Sequence, residues 1–250
     1  MNKQQFLSGR SPVTVRNKNG ASQIVLICEH ASNNIPDHLD NLGLSDTKLN
    51  EHIAWDIGAL SVAGILSDLL DAPLVHANVS RLVIDINRLP DHSGSIVTRS
   101  EASPIPGNIG LSQAERYIRR DAIYEPFHAE LTRVLAERQH CDTWVLSIHS
   151  YTPVYNGVNR PWHVGILHNE DRRLSTPLIT ALKCYRNLIV GDNQPYAPTD
   201  GVYHTIDRHT MPFGRMGAMI EIRNDLIADH EGQTEWAHHL KNILTSIEVS

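Results

Sequence analysis

Residues 24–30 read Ile24-Val25-Leu26-Ile27-Cys28-Glu29-His30, and they give the clearest indication of the fold. Its first five residues are apolar and mostly β-branched, which is typical of a strand buried on both faces, as in a parallel sheet covered by helices. The apolar run ends at once in a carboxylate and an imidazole. A strand core needs neither group, so a functional site is expected at this end of the strand.

Along the rest of the chain, short apolar runs alternate with segments of helical periodicity. Further strands are predicted over residues 74–79, 82–86, 144–148, 164–167, 188–190 and 216–222. Helices are predicted over residues 53–70, 112–139 with a bend at Pro126, 174–185 and 234–247. Ser112 and Glu115 form a capping-box pattern at the start of the second helix. This alternation predicts an α/β fold with a mostly parallel sheet covered on both faces.

The length of the chain fits one domain that covers residues 1–250. We expect residues 1–20 to be a poorly ordered or peripheral segment. Residues 94–110 are rich in Gly, Pro and Ser, and we expect an ordered loop there beside a site.

Composition excludes several classes of protein. The formal net charge of -6 argues against a general nucleic-acid binder, which carries a basic patch. No apolar run is long enough to cross a bilayer, and the first 20 residues lack the apolar region of a signal peptide. Cys28, Cys141 and Cys184 lie far apart and form no disulfide framework. We therefore expect a cytoplasmic monomer or homodimer with reduced thiols, acting on a small molecule without nucleic-acid or membrane partners.

Two histidines follow predicted strands, His30 after residues 24–28 and His149 after residues 144–148. They can supply two nitrogen ligands to one zinc ion, and a catalytic zinc usually takes three protein ligands and keeps one position for water. Asp56 is the candidate third ligand, with Glu29 and His52 as alternatives. The competing interpretation is that both histidines cap strands or bind backbone carbonyls.

Glu221 ends the apolar strand over residues 216–222 and is the candidate general base. Zinc lowers the pKa of a bound water toward about 7, and a nearby carboxylate can pass the water proton to the leaving nitrogen. The alternative is an ordinary glutamate at the end of a strand.

Three arginines, Arg81, Arg88 and Arg223, could form a cationic pocket for an anionic substrate, because a guanidinium binds a carboxylate through two parallel hydrogen bonds. Structurally, each could instead pair with Asp85 or Asp225. The pairing interpretation is favoured for Arg81 over Arg88.

Several blocks of sequence resemble the N-formylglutamate amidohydrolase family in content and order. They are residues 28–36 (CEHASNNIP), 52–56 (HIAWD), 80–88 (SRLVIDINR), 124–128 (YEPFH), 147–150 (SIHS) and 220–223 (IEIR). The resemblance implies a three-layer α/β/α fold with a mixed, mostly parallel sheet, like that of zinc peptidases and aspartoacylases. With the two histidines at strand ends, about one Zn²⁺ per chain is expected, and other divalent metals are possible.

The resemblance assigns roles to particular residues. It implies that His30 and His149 bind the metal, that Glu221 is the base, and that Asn87 and Arg88 hold the substrate carboxylate. The wider group often has a carboxylate ligand three residues after the first histidine, where this chain has Asn33, so the third ligand must come from elsewhere. The complete set of predicted substrate-binding residues is Asn87, Arg88, Arg81, Arg223, Ser150 and His128.

The function predicted is zinc-dependent hydrolysis of the N-formyl or short N-acyl amide of an acidic amino acid, through a metal-activated water. Two alternatives remain open. One is a zinc peptidase or amidase that acts on a peptide or cell-wall fragment. The other is a non-catalytic protein of the same fold that binds an acidic metabolite.

Overall fold

A computed structural model describes residues 3–138 and 142–248 of the chain. Cys141 and the predicted helix end at Gln139 lie outside the described residues. The strands are Val13–Arg16 (β1), Ile24–Cys28 (β2), Leu74–Ala77 (β3), Arg99–Ser100 (β4), Ser103–Pro104 (β5), Trp144–Tyr151 (β6), Val154–Tyr155 (β7), Val158–Asn159 (β8), Val164–Leu167 (β9), Val190–Asp192 (β10) and Met216–Arg223 (β11). The helices are Lys3–Phe6 (α1), Asp46–Leu49 (α2), Ala59–Leu70 (α3), Gln113–Arg119 (α4), Glu125–Ala136 (α5), Ser175–Lys183 (α6), His204–Thr210 (α7) and His230–Ser246 (α8).

Seven strands form one mixed sheet in the order β1-β3-β2-β6-β11-β9-β10. The central four, β3, β2, β6 and β11, are parallel, whereas β1 and β9 run antiparallel to their neighbours β3 and β11. The carboxyl ends of β2, β6 and β11 therefore meet at one edge of the sheet. Two small hairpins, β4–β5 and β7–β8, lie outside this sheet.

Both faces of the sheet are covered, so the architecture has three layers. One face packs against α3, α6 and α8 through residues such as Leu26, Ile148 and Ile220. The other packs against α5, α7 and long loops through residues such as Ile27 and Phe127. Every residue of β2 is buried, as the apolar run predicts. The predicted three-layer α/β/α fold with a mostly parallel mixed sheet is confirmed.

Residues 82–86 do not form a strand, so that prediction is wrong. Leu82, Val83 and Ile84 are buried, but Leu82 and Val83 lie in a turn and Ile84 lies in irregular backbone. Side chains satisfy backbone carbonyls that a neighbouring strand would otherwise pair. Asn108 donates to Leu82 O at 2.8 Å and Arg119 donates to Val83 O at 2.9 Å. An apolar run indicates burial, and these contacts decide the backbone conformation.

The ends of other elements also differ from prediction. The helix predicted from residue 53 begins only at Ala59, after Gly58 with a φ of 81°. The bend predicted at Pro126 is preceded by a π-helical turn, Arg120–Tyr124, while the capping box at Ser112 is present as predicted. Residues 1–20 contribute an edge strand, β1, and the buried Phe6 and Leu7, so the described part of this segment is peripheral but packed.

Within the two described stretches, no helix combines the length and apolar character that a membrane span requires.

Candidate active site

His30, Asp56 and His149 form a buried cluster at the carboxyl edge of the sheet. Their candidate ligand atoms all lie within 4.8 Å of one another. His30 follows β2 by two residues, and His149 lies near the end of β6. The Asp56 backbone N–H donates to His30 O at 2.9 Å, which fixes the loop before α3 against the end of β2. Three separate segments are thereby brought to one point.

Each histidine presents Nδ1 to Asp56 and has its other ring nitrogen beside a second carboxylate. His149 Nδ1 lies 2.7 Å, and His30 Nδ1 3.4 Å, from Asp56 Oδ2. On the other side of the rings, His30 Nε2 lies 2.8 Å from Asp85 Oδ1, and His149 Nε2 lies 3.0 Å from Glu29 Oε2. Metal-binding histidines almost always donate their free N–H to such an acceptor, which leaves the metal-facing nitrogen unprotonated.

The donor set fits a divalent cation. His30 Nδ1 and His149 Nε2 are both fully buried without a hydrogen-bond partner in the described part of the chain, although Glu29 Oε2 lies 3.0 Å from the latter. Two imidazole nitrogens and a carboxylate oxygen converge, which is a common ligand set for zinc. Four carboxyl groups surround the two histidines, and a bound cation would offset part of their negative charge. They belong to Glu29, Asp56, Asp85 and Glu221.

The charges in the cluster act strongly on one another. Burial alone would raise the pKa of Asp85, but His30 and Arg81 hold it well below its usual value. Burial alone would likewise lower the pKa of His149, but Glu29 and Asp56 raise it well above its usual value. The site is therefore arranged around positive charge at its centre.

Glu221 lies on β11 directly beside His149 in the register of the two parallel strands. Its side chain lines the same cavity as the three clustered residues. Burial raises the pKa of Glu221 to about 7, which suits a group that must both accept and release a proton near neutral pH.

The cluster opens into a cavity of about 250 Å³. Its walls come from the loop over residues 81–101, from the β6 end and β7, and from Tyr196, Val202 and Glu221. The prediction that residues 94–110 lie beside a site thus agrees with the positions of Gly94, Arg99 and Glu101. A small amino-acid derivative has room in such a cavity.

The alternative third ligands occupy other positions. Glu29 lies beside the far nitrogen of His149 and accepts a hydrogen bond from Ser147. His52 lies in the cavity wall, with Nε2 3.2 Å from Glu101 Oε1. Of the three candidates, only Asp56 has a carboxylate oxygen close enough to both histidines to bind the same ion among the described residues.

Arg81 and Arg88 both line the cavity, and both lie beside Asp85, with Arg88 Nε 3.5 Å from Asp85 Oδ2. The Arg81 guanidinium donates to Asp85 at 2.9 Å and lies 3.5 Å from Asp56. Arg88 donates through Nη1 to the carbonyls of Asp200 and Gly201, and its Nη2 makes no hydrogen bond to the described residues. Arg88 thus keeps one nitrogen, Nη2, without a partner among the described residues, while Arg81 lies beside both carboxylates.

Asn87 and Ser150 line the cavity and also fix its walls. Asn87 donates to Val202 O at 2.5 Å and accepts from the Thr205 N–H at 2.9 Å. The Ser150 hydroxyl donates to Ile57 O at 2.8 Å, and its backbone N–H donates to Asp56.

The structure does not bring Arg223 and His128 into this cavity. Arg223 pairs with Asp225 at 2.8 Å, the alternative to substrate binding that the sequence left open. His128 is fully buried, and its two nitrogens contact His209 and the carbonyl of Ile86. Neither side chain lines the cavity in which the predicted substrate would bind.

Two features of the site were missed at the level of sequence. Asp85 was considered only as a partner for arginine, whereas it also holds His30; its place in the block of residues 80–88 was the available signal. Tyr196 lies in a loop far from every motif, and nothing in the sequence marks it.

Known structures share this fold. A gene product of Agrobacterium tumefaciens is 43% identical, with a TM-score of 0.92 and 94% of each chain covered. The N-formylglutamate amidohydrolase of Ralstonia eutropha is 19% identical, with a TM-score of 0.63 over 94% of this chain and 96% of the other. No curated protein matches the chain.

The fold and the carboxylate-backed histidine cluster define a hydrolase with a candidate metal centre, and the family comparison makes it an amidohydrolase. The model of N-formylglutamate amidohydrolases matches residues 22–228, and the chain belongs to that family.

Proposed function

We propose that this enzyme hydrolyses the N-formyl or another short N-acyl amide of an acidic amino acid, with a divalent metal as cofactor. The main support for this proposal is that His30, Asp56 and His149 converge on one point. Asp85 and Glu29 lie beside the two imidazole rings. Zinc is the expected metal, since two imidazoles and one carboxylate, with a position left open toward the cavity, suit a catalytic zinc. The metal-peptidase and metabolite-binding alternatives are tested by the same experiments.

His30, Asp56 and His149 would hold the cation, which supplies Lewis acidity toward a carbonyl oxygen and acidifies water. Glu221 takes a proton from the attacking water and delivers it to the leaving nitrogen. One water is consumed, the C–N bond breaks, and a carboxylate and a free amine are released. Arg88 holds the α-carboxylate of the substrate, and its Nη2, which has no partner among the described residues, supplies a donor in the wall of the site.

The first experiment combines metal analysis with a hydrolysis screen of N-acyl amino acids, including N-formylglutamate. We expect about one divalent ion per chain and hydrolysis that stops on chelation. His30→Ala and His149→Ala should each lose the metal. Full activity of a metal-free protein would overturn the mechanism, and binding of acidic metabolites without turnover would favour the sensor.

A second experiment tests the base. Glu221→Gln should keep the metal and the fold but lower kcat by roughly 10²–10⁴-fold, the usual contribution of a general acid or base. Glu235→Gln, an exposed glutamate on α8, is the matched control and should turn over normally. If Glu221→Gln also turns over normally, another group carries the proton.

A further inference from the structure

Three tyrosines line the cavity, and their hydroxyl groups are in different situations. Tyr151 donates its proton to Trp162 O at 2.5 Å. Tyr155 lies in the exposed β7–β8 hairpin and makes no hydrogen bond to described residues. Tyr196 accepts a hydrogen bond from Arg160 Nη1 at 2.9 Å, and its own O–H proton has no acceptor in the described part of the chain. Tyr196 therefore offers a proton donor whose oxygen is already held in place.

Arg160 is built into the wall behind these rings. It is 9% exposed, and its Cζ lies 4.5 Å from the Tyr155 ring centroid and 4.7 Å from that of Tyr196. A guanidinium between two aromatic faces has little freedom to move, and its charge polarises the phenol that it bonds. The arrangement holds the Tyr196 phenol oxygen in place without using its proton.

The position of Tyr196 relates it to the reacting groups. It lines the same cavity as His149 and Glu221, and it is close enough to Glu221 and Arg81 for their charges to act on it. Burial, with the charge of Glu221, raises the pKa of Tyr196 to about 12. The phenol thus keeps its proton throughout the neutral range.

We propose that Tyr196 is a catalytic residue that donates a hydrogen bond to the carbonyl oxygen of the scissile amide, and that Arg160 is the positioning residue that orients it. The inference rests on the proposed function, because it assigns a role in the same cavity. Negative charge develops on this oxygen as water adds to the carbonyl carbon, so a fixed donor stabilises the transition state more than the bound substrate. No proton is transferred: the phenol keeps its proton, and the oxygen regains its double bond when the amine leaves.

The test compares variants with N-formylglutamate as the substrate. Tyr196→Phe removes the hydroxyl alone and should lower kcat by about 10²–10³-fold, as for other oxyanion donors, with KM within about threefold and metal content unchanged. Tyr117→Phe is the matched control, because Tyr117 also lies under an arginine, Arg120, but is exposed on α4. It should behave as the wild type.

Arg160 is tested through its dependence on Tyr196. Arg160→Gln should lower kcat more than Arg160→Lys, because lysine can still donate to the phenol. Neither change should lower kcat much further in a Tyr196→Phe background, whereas a merely structural role would reduce both backgrounds alike.

The outcomes separate the two proposals. If the wild-type protein does not hydrolyse N-formylglutamate or any related N-acyl amino acid, the proposed function fails, and the role of Tyr196 fails with it. If the wild type is active and Tyr196→Phe keeps its kcat, or raises KM alone, the assignment of Tyr196 to the carbonyl oxygen is overturned while the proposed function stands.

Discussion

Asp85 and Glu29 lie behind the two histidines of the cluster, one carboxylate to each imidazole. Such a partner fixes the tautomer of the ring and makes its metal-facing nitrogen more basic. Arg81 in the cavity wall donates a hydrogen bond to Asp85, so Arg81 orients the His30 ring through Asp85. This layered support explains why several charged groups are buried together.

The first prediction concerns these two carboxylates. Asp85→Asn and Glu29→Gln should each weaken metal binding by about 10–100-fold, because a histidine ligand loses the charged carboxylate beside its other ring nitrogen. The measurement is a competition titration with a chelator of known affinity. Asp68→Asn, an exposed carboxylate near Arg16, is the control and should bind metal as the wild type does. Unchanged affinity in both site variants would mean that the carboxylates do not orient the ligands.

The second prediction concerns Arg88 and the charge of the substrate. Lysine supplies the positive charge but not the planar fork, so Arg88→Lys should lower kcat/KM by about 10–100-fold, the equivalent of one or two charge-assisted hydrogen bonds. The loss should be much smaller for an analogue whose α-carboxylate is replaced by an amide. Simple additivity of the two changes would show that Arg88 does not touch this carboxylate.

For individual site residues, the sequence is informative where a polar residue ends an apolar strand. His30, His149 and Glu221 could be grouped because the ends of parallel strands meet at one edge. The sequence does not predict that Asp85 is the partner of His30 or that Tyr196 lies in the cavity wall. Each position depends on the path of a loop between strands. Loop paths are set by tertiary contacts that leave no periodic signal.

The same limit applies to whole elements. The strand at Ile24–Cys28 was predicted to the residue because its side chains are buried on both faces. Residues 82–86 have an equally apolar pattern, yet Asn108 and Arg119 from other segments take up carbonyl groups there. The apolar pattern thus predicts burial, whereas the choice between a strand and irregular backbone depends on side chains from other parts of the sequence.

The third prediction concerns Gly58, which links Asp56 to α3. Its φ is 81°, and a Cβ there would collide with the carbonyl oxygen of Ile227. Gly58→Ala should lower the free energy of unfolding by more than the cost of about 1–2 kcal/mol expected from the backbone conformation alone. It should also weaken metal binding, because Asp56 lies two residues away.

The control for this variant is Gly110→Ala, at a φ of 73° with no atom within 4 Å of the added Cβ. It should show only the conformational cost and bind metal normally. Urea denaturation measures both variants. Equal losses would show that the contact with Ile227 contributes nothing.

On the scale of the molecule, the layers follow from the alternation of strands and helices, but the strand order does not. The placement of β11 between β6 and the antiparallel β9 brings Glu221 beside His149. Composition and periodicity do not determine which strands become neighbours, because the pairing is decided by contacts between residues far apart in the sequence. The site is therefore a property of the assembled sheet.

This dependence leads to the last prediction, that metal binding and folding are coupled. His30, Asp56 and His149 come from three segments that meet only in the folded chain, so the unfolded chain has no equivalent site. Metal at a hundredfold excess over its Kd should stabilise the native state by about 2.7 kcal/mol. For a chain of this size that corresponds to a rise in Tm of roughly 5–10 °C. Calorimetry of the chelated protein with and without added zinc measures the shift. The double variant His30→Ala/His149→Ala should show no such rise, because it lacks both imidazole ligands. A rise of equal size in the double variant would place the stabilising metal elsewhere on the protein.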